Sequence, residues 1–374
     1  MDMRVFGPKN EWKIMKIEWP TALMDWFEKN KRAMPWREDA SPYRILVSEV
    51  MLQQTQVVTV IPYFHRFMHF FPTVGDLASA PEEQILKLWE GLGYYSRARH
   101  LHACAKAIEE LGGEVPSDFE ALKKLPGIGA YTAAAVASIG FGKKVPVVDG
   151  NVLRVWSRMT MDDTSIDMPK VKTRYFEELS EVIQNVDIPG TFNQAMMELG
   201  SLICKPSEAD CDGCPVAAWC KAFQAGCVAD YPKKTPKKKP PHFDVAVGLV
   251  YDGDKLLILK RSDEQMLGGL WEFPGGKLEE GETPKQAVKR EIMEETGLTV
   301  AVGKKLAVVK HAYSHFSITM HAFRCELQGD VKTPNSDRPW HWIAEEELKD
   351  FAFPKANHKI FEAMHLNVGR EIQE

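Results

Sequence analysis

Four cysteines, Cys204, Cys211, Cys214 and Cys220, stand in the spacing C-x6-C-x2-C-x5-C. Four thiolates that close in sequence can surround one tetrahedral ion or cap the irons of a cubane cluster. A structural zinc is the general competitor, although zinc favours two C-x2-C pairs and only one is present. A second constellation runs Gly276-x5-Glu282-x7-Arg290-Glu291-Ile292-x-Glu294-Glu295-x-Gly297-Leu298. On a helix, Glu291, Glu294 and Glu295 share one face and can hold Mg2+ against a diphosphate. Two further carboxylates sit in distinctive settings, Glu49 in Ser-Glu-Val-Met-Leu-Gln-Gln-Thr-Gln-Val and Asp149 in Val-Val-Asp-Gly-Asn-Val. A buried carboxylic acid can donate a proton near neutral pH, and a fixed carboxylate stabilises developing positive charge. Each also has an ordinary use, Glu49 as a solvated helix acid and Asp149 as a helix N-cap.

The elements that must position these groups divide the chain. At 374 residues it exceeds what one core usually serves, and its composition, 44% hydrophobic and 26% charged, excludes a coiled coil or a mostly disordered chain. No run of about 18 apolar residues exists, so no helical membrane span is expected. The first residues lack an apolar signal segment, and a cytoplasmic protein is expected, on the nucleoid if the source is a bacterium. In a reducing compartment, clustered cysteines more often hold metal than pair. The net charge of −5 argues against a chain coated with bases but leaves room for a local nucleic-acid-binding patch.

Residues 232–241, Pro-Lys-Lys-Thr-Pro-Lys-Lys-Lys-Pro-Pro, read as an extended linker, because prolines and repelling lysines resist regular structure. Before it, amphipathic helices are expected at 43–56, 82–90, 96–111, 130–139, 170–184 and 190–203. After it, strands are expected at 244–251, 255–260, 305–312 and 316–325, with one helix at 284–296. An all-α domain (1–231) therefore precedes an α+β domain (242–374).

Several local runs carry a resemblance. Leu125-Pro126-Gly127-Ile128-Gly129, with Val-Val-Asp149-Gly-Asn-Val after it, resembles the helix-hairpin-helix and Asp signature of base-excision glycosylases. The cysteine spacing resembles the [4Fe-4S] loop of the endonuclease III superfamily. The Gly276–Leu298 run fits the full Nudix box, and Trp271-Glu272-Phe273-Pro274-Gly275 precedes it as in hydrolases resembling MutT. With the Glu49 motif, the chain from about Trp19 to Leu366 resembles the adenine DNA glycosylases of MutY type.

The resemblance implies a multidomain fold, an all-α helix-hairpin-helix glycosylase with a [4Fe-4S] loop at 204–220 and a Nudix-like domain that reads 8-oxoguanine. It implies removal of adenine mispaired with 8-oxoguanine or guanine in duplex DNA. Glu49 would protonate the leaving adenine. Asp149 would stabilise the sugar cation, with Tyr131 and Asn151 positioning it. Lyase-competent relatives carry a lysine where Tyr131 stands, and a phenol cannot form a Schiff base, so a monofunctional glycosylase is expected. Trp36, Arg37, Leu52 and Gln194 match positions lining the adenine pocket. Gln54 and Tyr94 would enter the opened duplex. Gly127 and Gly129 would free backbone N–H groups for a phosphate, and Lys205 and Lys221 would suit phosphates beside the cluster. Tyr313, Ser314 and His315 resemble the loop that meets 8-oxoguanine, with tyrosine where phenylalanine is usual.

In this family the Nudix box has usually decayed, and here it is intact. The domain is thus either a retained scaffold for recognition or a hydrolase of oxidised nucleoside triphosphates with Mg2+ at Glu291, Glu294 and Glu295. Three rivals differ in class: an endonuclease III-like lyase, a nucleotide-pool Nudix hydrolase with a DNA-binding helical half, and a non-catalytic lesion sensor. No oligomerisation signature appears, and a monomer is expected.

Overall fold

The structure is a computed structural model that describes residues 9–236 and 239–366, with backbone alone for 9–17. Thirteen helices precede the linker among these residues: α1 (Lys9–Asn30), α2 (Pro35–Glu38), α3 (Pro42–Leu52), α4 (Val57–Phe70), α5 (Val74–Ser79), α6 (Glu82–Trp89), α7 (Ser96–Glu110), α8 (Phe119–Leu122), α9 (Ala130–Ala135), α10 (Gly150–Thr160), α11 (Pro169–Ile183), α12 (Pro189–Leu202) and α13 (Lys221–Gln224). A π-helical stretch, Val136–Gly140, continues α9. The strands follow as β1 (His242–Asp252), β2 (Lys255–Lys260), β3 (Trp271–Glu272), β4 (Gly275–Lys277), β5 (Thr299–Ala312), β6 (Ser317–Gln328) and β7 (Trp340–Ala344). Helix α14 (Pro284–Thr296) precedes β5, and α15 (Lys355–Ala363) follows β7.

Two compact units result, and their division does not follow the linker alone. One holds the described residues up to Ser79 and from Ala103 to 236. The other joins Ala80–His102 to the described residues from 239 onward. The helical segment containing α6 therefore packs with the sheet. The linker is also less free than a solvated tether. The Ile166 N–H donates to Lys233 O at 3.0 Å, and the Thr235 N–H to Asp167 Oδ2 at 2.8 Å. Lys237 and Lys238 lie outside the described residues.

In the helical unit, α1, α10, α11 and α12 enclose a core that includes Leu23, Phe27, Val155, Leu179 and Phe192, each at most 2% exposed. Burying such side chains contributes about 1.5–3 kcal/mol each. Helix α3 ends earlier than expected, at Leu52, because Gln53 leaves the helical conformation (ψ 113°) and Gln54 follows in a left-handed one (φ 56°). Helix α4 was not among the expected helices; it carries Pro62 and buries one face through Val60, Phe64, Phe67 and Met68.

In the sheet unit the strand order is β3-β2-β1-β6-β5, with β4 also on β1 and β7 on β2. β1 and β6 run parallel and the other pairs antiparallel. Alternation along β1 serves two faces. Ala246 and Val250 pack with Val288 and Ile292 of α14, while Val247, Leu249 and Tyr251 pack with Ile360 and Phe361 of α15. Gly248 faces α14, where a Cβ would come within 2.5 Å of Ile292 Cδ1.

Candidate active site and cysteine centre

Helix α3 is buried over most of its length, and Glu49 goes into the protein with it, at 5% exposure. Asp149 caps the N-terminus of α10. Its Oδ1 accepts the Val152 N–H at 2.7 Å, and its Oδ2 accepts Asn151 Nδ2 at 2.9 Å. Helix α9 brings in Tyr131, whose hydroxyl donates to Glu49 Oε2 at 2.5 Å. Asn151 thus contacts Asp149 as expected, but the phenol of Tyr131 goes to Glu49 and not to Asp149.

These four residues line one cavity of about 510 Å3, and Trp36, Arg37, Leu52 and Gln194 line it too. The size suits a ligand such as a nucleobase. Burial pushes the Glu49 carboxyl up to about 7. The Asp149 charge adds to that rise, and the Tyr131 hydroxyl and the Arg37 charge oppose it. Burial also raises Asp149, against the N–H donors of Val152 and Asn151. One buried and one half-buried carboxyl group, both with raised proton affinity, share this cavity and can divide proton donation and charge stabilisation between them.

Sequence reasoning missed Arg32 and Glu198, which complete the cavity wall. Glu198 is 2% exposed and accepts Arg32 Nε at 2.8 Å and Arg37 Nη2 at 3.1 Å. Burial opposes its ionisation, but the hydrogen bonds from both arginines prevail and hold its carboxyl down at about 2. Arg37 Nε also donates to Gln194 Oε1 at 2.9 Å, which fixes the orientation of that amide. The one signal available in the sequence was position, since Glu198 lies one helical turn after Gln194.

Gln54 and the hairpin glycines lie outside this cavity. Gln54 is exposed in its left-handed conformation, which costs free energy and is concentrated at functional sites. Gly127 has φ 71°, a conformation that favours glycine. Gly129 is the N-cap of α9, and a Cβ there would meet nothing within 4 Å, so the fold itself does not demand a glycine. Tyr94, in the other unit, is likewise left-handed (φ 51°) and 39% exposed.

Cys204, Cys211, Cys214 and Cys220 line a single cavity. Arg158, 2% exposed, reaches Cys204 Sγ with Nη1 at 3.2 Å and donates to Lys205 O at 2.8 Å and Tyr231 O at 2.9 Å. Backbone N–H groups face two more sulfurs, from Val216 toward Cys214 and from Phe223 and Ala222 toward Cys220. Donors aimed at sulfur suit thiolate ligands. Lys205 and Lys221 are exposed beside this cavity. Among the described residues no three His, Cys, Asp or Glu side chains close on a single-ion site.

In the sheet unit, Glu291, Glu294 and Glu295 lie on α14, which a Thr283/Gln286 capping box starts and left-handed Gly297 ends. Arginines engage all three. Arg290 donates to Glu291 at 2.9 Å and Glu294 at 3.2 Å, while gripping Glu282 through Nε and Nη2. Arg338 donates to Glu295 at 2.6 Å and to Glu272 at 2.6 Å. Ser314 and His315 form the exposed tip of the β5–β6 hairpin, closed by the Tyr313 N–H donating to Phe316 O at 2.8 Å. The Tyr313 ring packs inward, with centroids 4.9 Å from Phe316 and 4.6 Å from His311.

Residues 47–201 match the family described as HhH-GPD superfamily base excision DNA repair protein, and residues 246–363 match the NUDIX domain. A structure of a thermostable thymine-DNA glycosylase aligns with a TM-score of 0.52 at 26% identity, covering 57% of this chain and 99% of that one. The adenine DNA glycosylase of Rattus norvegicus is 35% identical over 91% of this chain and 76% of its own length. That of Buchnera aphidicola subsp. Schizaphis graminum is 31% identical over 91% of this chain and 96% of its own. The chain belongs to the adenine DNA glycosylase family. As a member of that family it is a DNA glycosylase of base excision repair, a hydrolase of N-glycosyl bonds, with DNA as its partner. The Rattus norvegicus and Buchnera relatives each match over 91% of this chain and so reach into both of its family-model matches. No helix among the described residues is long and apolar enough to cross a membrane.

Proposed function

We propose that this enzyme, acting as a monomer, excises adenine opposite 8-oxoguanine or guanine and leaves an abasic site without cutting the strand. The observation that carries the reading is the placement of Glu49 and Asp149 in one cavity, with the Glu49 carboxyl raised to about 7. At neutral pH much of Glu49 keeps its proton, which it can pass to N7 of adenine as the C1′–N9 bond breaks. The base then departs neutral. The sugar left behind carries positive charge at C1′, and the ionised Asp149 stabilises it. Water adds to C1′, and Glu49, now ionised, accepts the proton that this water releases. Tyr131 holds the Glu49 carboxyl in place and Asn151 holds that of Asp149. The Gln194 amide, oriented by Arg37, suits an adenine edge.

Outside the cavity, Gln54 and Tyr94 enter the opened duplex, and Gly127 and Gly129 leave room for a phosphate. Tyr313, Ser314 and His315 meet the oxidised guanine, with Ser314 and His315 presented at the hairpin tip. Cys204, Cys211, Cys214 and Cys220 hold a [4Fe-4S] cluster, whose contribution is to order the 204–220 loop. The shared cavity and the donors facing sulfur support a thiolate-held group at this loop. Arg338, from outside the box, engages Glu295 and Glu272, which favours a Nudix scaffold serving recognition over a Mg2+-dependent hydrolase.

The test is a duplex with one labelled adenine opposite 8-oxoguanine, split after reaction into samples with and without alkali. Cleavage only after alkali is expected. Cleavage without alkali would require a lyase nucleophile other than Tyr131, and no cleavage in either sample would overturn the assignment of Glu49 and Asp149.

A further inference from the structure

The turn after α6 carries Tyr94, and its two flanks are bonded to the chain just before α15. Glu90 Oε1 accepts the Phe353 N–H at 2.8 Å and His358 Nε2 at 2.9 Å, and its Oε2 accepts Lys87 Nζ at 2.6 Å. The Tyr95 hydroxyl donates to Phe353 O at 3.3 Å and accepts the Gly91 N–H at 3.1 Å. Both backbone polar groups of Phe353 are therefore taken by residues on either side of Tyr94. Lys87 Nζ adds a bond to Phe351 O at 2.9 Å. Within the turn, the buried Arg97 donates to Gly93 O at 2.9 Å and lies 5.3 Å from the Tyr94 ring centroid. The contacts continue on the other side. Lys359 of α15 donates to Lys310 O on β5 at 2.8 Å, and β5 ends at the hairpin that presents Ser314.

We propose that Glu90 is a positioning residue that couples lesion contact at the 313–316 hairpin to the Tyr94 turn. The proposal rests on the reading above that Tyr94 enters the duplex and Ser314 meets 8-oxoguanine. A carboxylate holding three donors at once, two of them from the segment 353–358, transmits a shift of α15 to the turn because none of its bonds can lengthen without loss. A free loop at 90–95 would respond to DNA alone. This one is held by the half of the protein that reads the opposite strand.

The experiment uses the full chain and single-turnover excision from 8-oxoG:A and G:A duplexes. A 2-aminopurine beside the mispair reports base unstacking. Glu90→Gln is expected to lower the 8-oxoG:A over G:A rate ratio about tenfold, the worth of one charge-assisted hydrogen bond, while leaving the G:A rate unchanged. Combined with Ser314→Ala, it is expected to lower the ratio no further than Ser314→Ala alone. An unchanged ratio, effects that multiply, or equal losses on both duplexes would overturn the coupling. If Glu90→Gln does not fold, His358→Leu, which removes one donor to Glu90, takes its place under the same criteria. Tyr94→Ala separates the underlying reading: an unchanged 2-aminopurine signal in that variant would overturn the role of Tyr94 itself, whatever the Glu90 variants do.

Discussion

The hydroxyl of Tyr131 donates to the carboxyl of Glu49 across 2.5 Å, so the phenol expected in place of a lyase lysine is also the partner of the proposed proton donor. Its bond favours the ionised carboxylate and holds the proton affinity of Glu49 below what burial alone would impose.

Excision is expected to be fastest below about pH 7 and to fall as pH rises through that value, because Glu49 must enter the reaction protonated. Single-turnover rates between pH 5 and 9 would show it. Tyr131→Phe removes the bond that favours the ionised form. The descending limb should then move to higher pH, and a limb that stays in place would separate it from Glu49.

Glu49→Gln is expected to abolish excision while preserving duplex binding, measured by gel shift with 8-oxoG:A DNA. The same substitution should stabilise the protein in alkali. The folded carboxyl titrates at about 7 against an ordinary value of 4.5. Native protein therefore binds more protons between those values, and stability falls as pH rises through them, by up to about 3 kcal/mol. Melting temperatures should match at pH 4 and favour the variant at pH 8. Equal melting at both would contradict the burial of the charge.

Glu198→Ala leaves Arg32 and Arg37 facing a cavity wall without their carboxylate, and about 3–5 kcal/mol of stability should be lost in denaturant titration. The wild-type pair has the opposite pH sense from Glu49. Its contribution is present above the ordinary value of 4.5 and disappears as pH falls toward about 2.

Purified protein should contain iron and sulfide in equal amounts, and Cys214→Ser should lose both together with affinity for duplex DNA. Zinc in place of iron after anaerobic purification would overturn the cluster assignment.

With Mg2+ and 8-oxo-dGTP, the full chain should release no pyrophosphate, since Arg338 from outside the box already engages Glu295. Turnover lost on Glu295→Gln would restore the hydrolase reading.

Much of the architecture was legible because it is written in local periods. The β-branched and apolar run of β1 and the helical pattern of α14 are properties of a few adjacent residues. Helix α4 was missed although Val60, Phe64, Phe67 and Met68 recur at helical spacing. The affiliation of 80–102 was not legible either, since Glu90 reads as a surface acid until Phe353 and His358 are placed against it.

Sequence alone determined which chemistry was available: the spacing of four cysteines, three glutamates on one helical face and an acid before a helix. These are matters of residue type and short-range geometry, which the backbone period dictates. Tertiary structure decided that Glu49 and Asp149 share a cavity, that Tyr131 serves Glu49, that arginines engage the Nudix carboxylates, and that the Tyr94 turn is held by the sheet unit. Those outcomes depend on burial and on partners far apart in the chain. Proton affinity and ion pairing follow from the packed surroundings of a group and not from its neighbours in sequence.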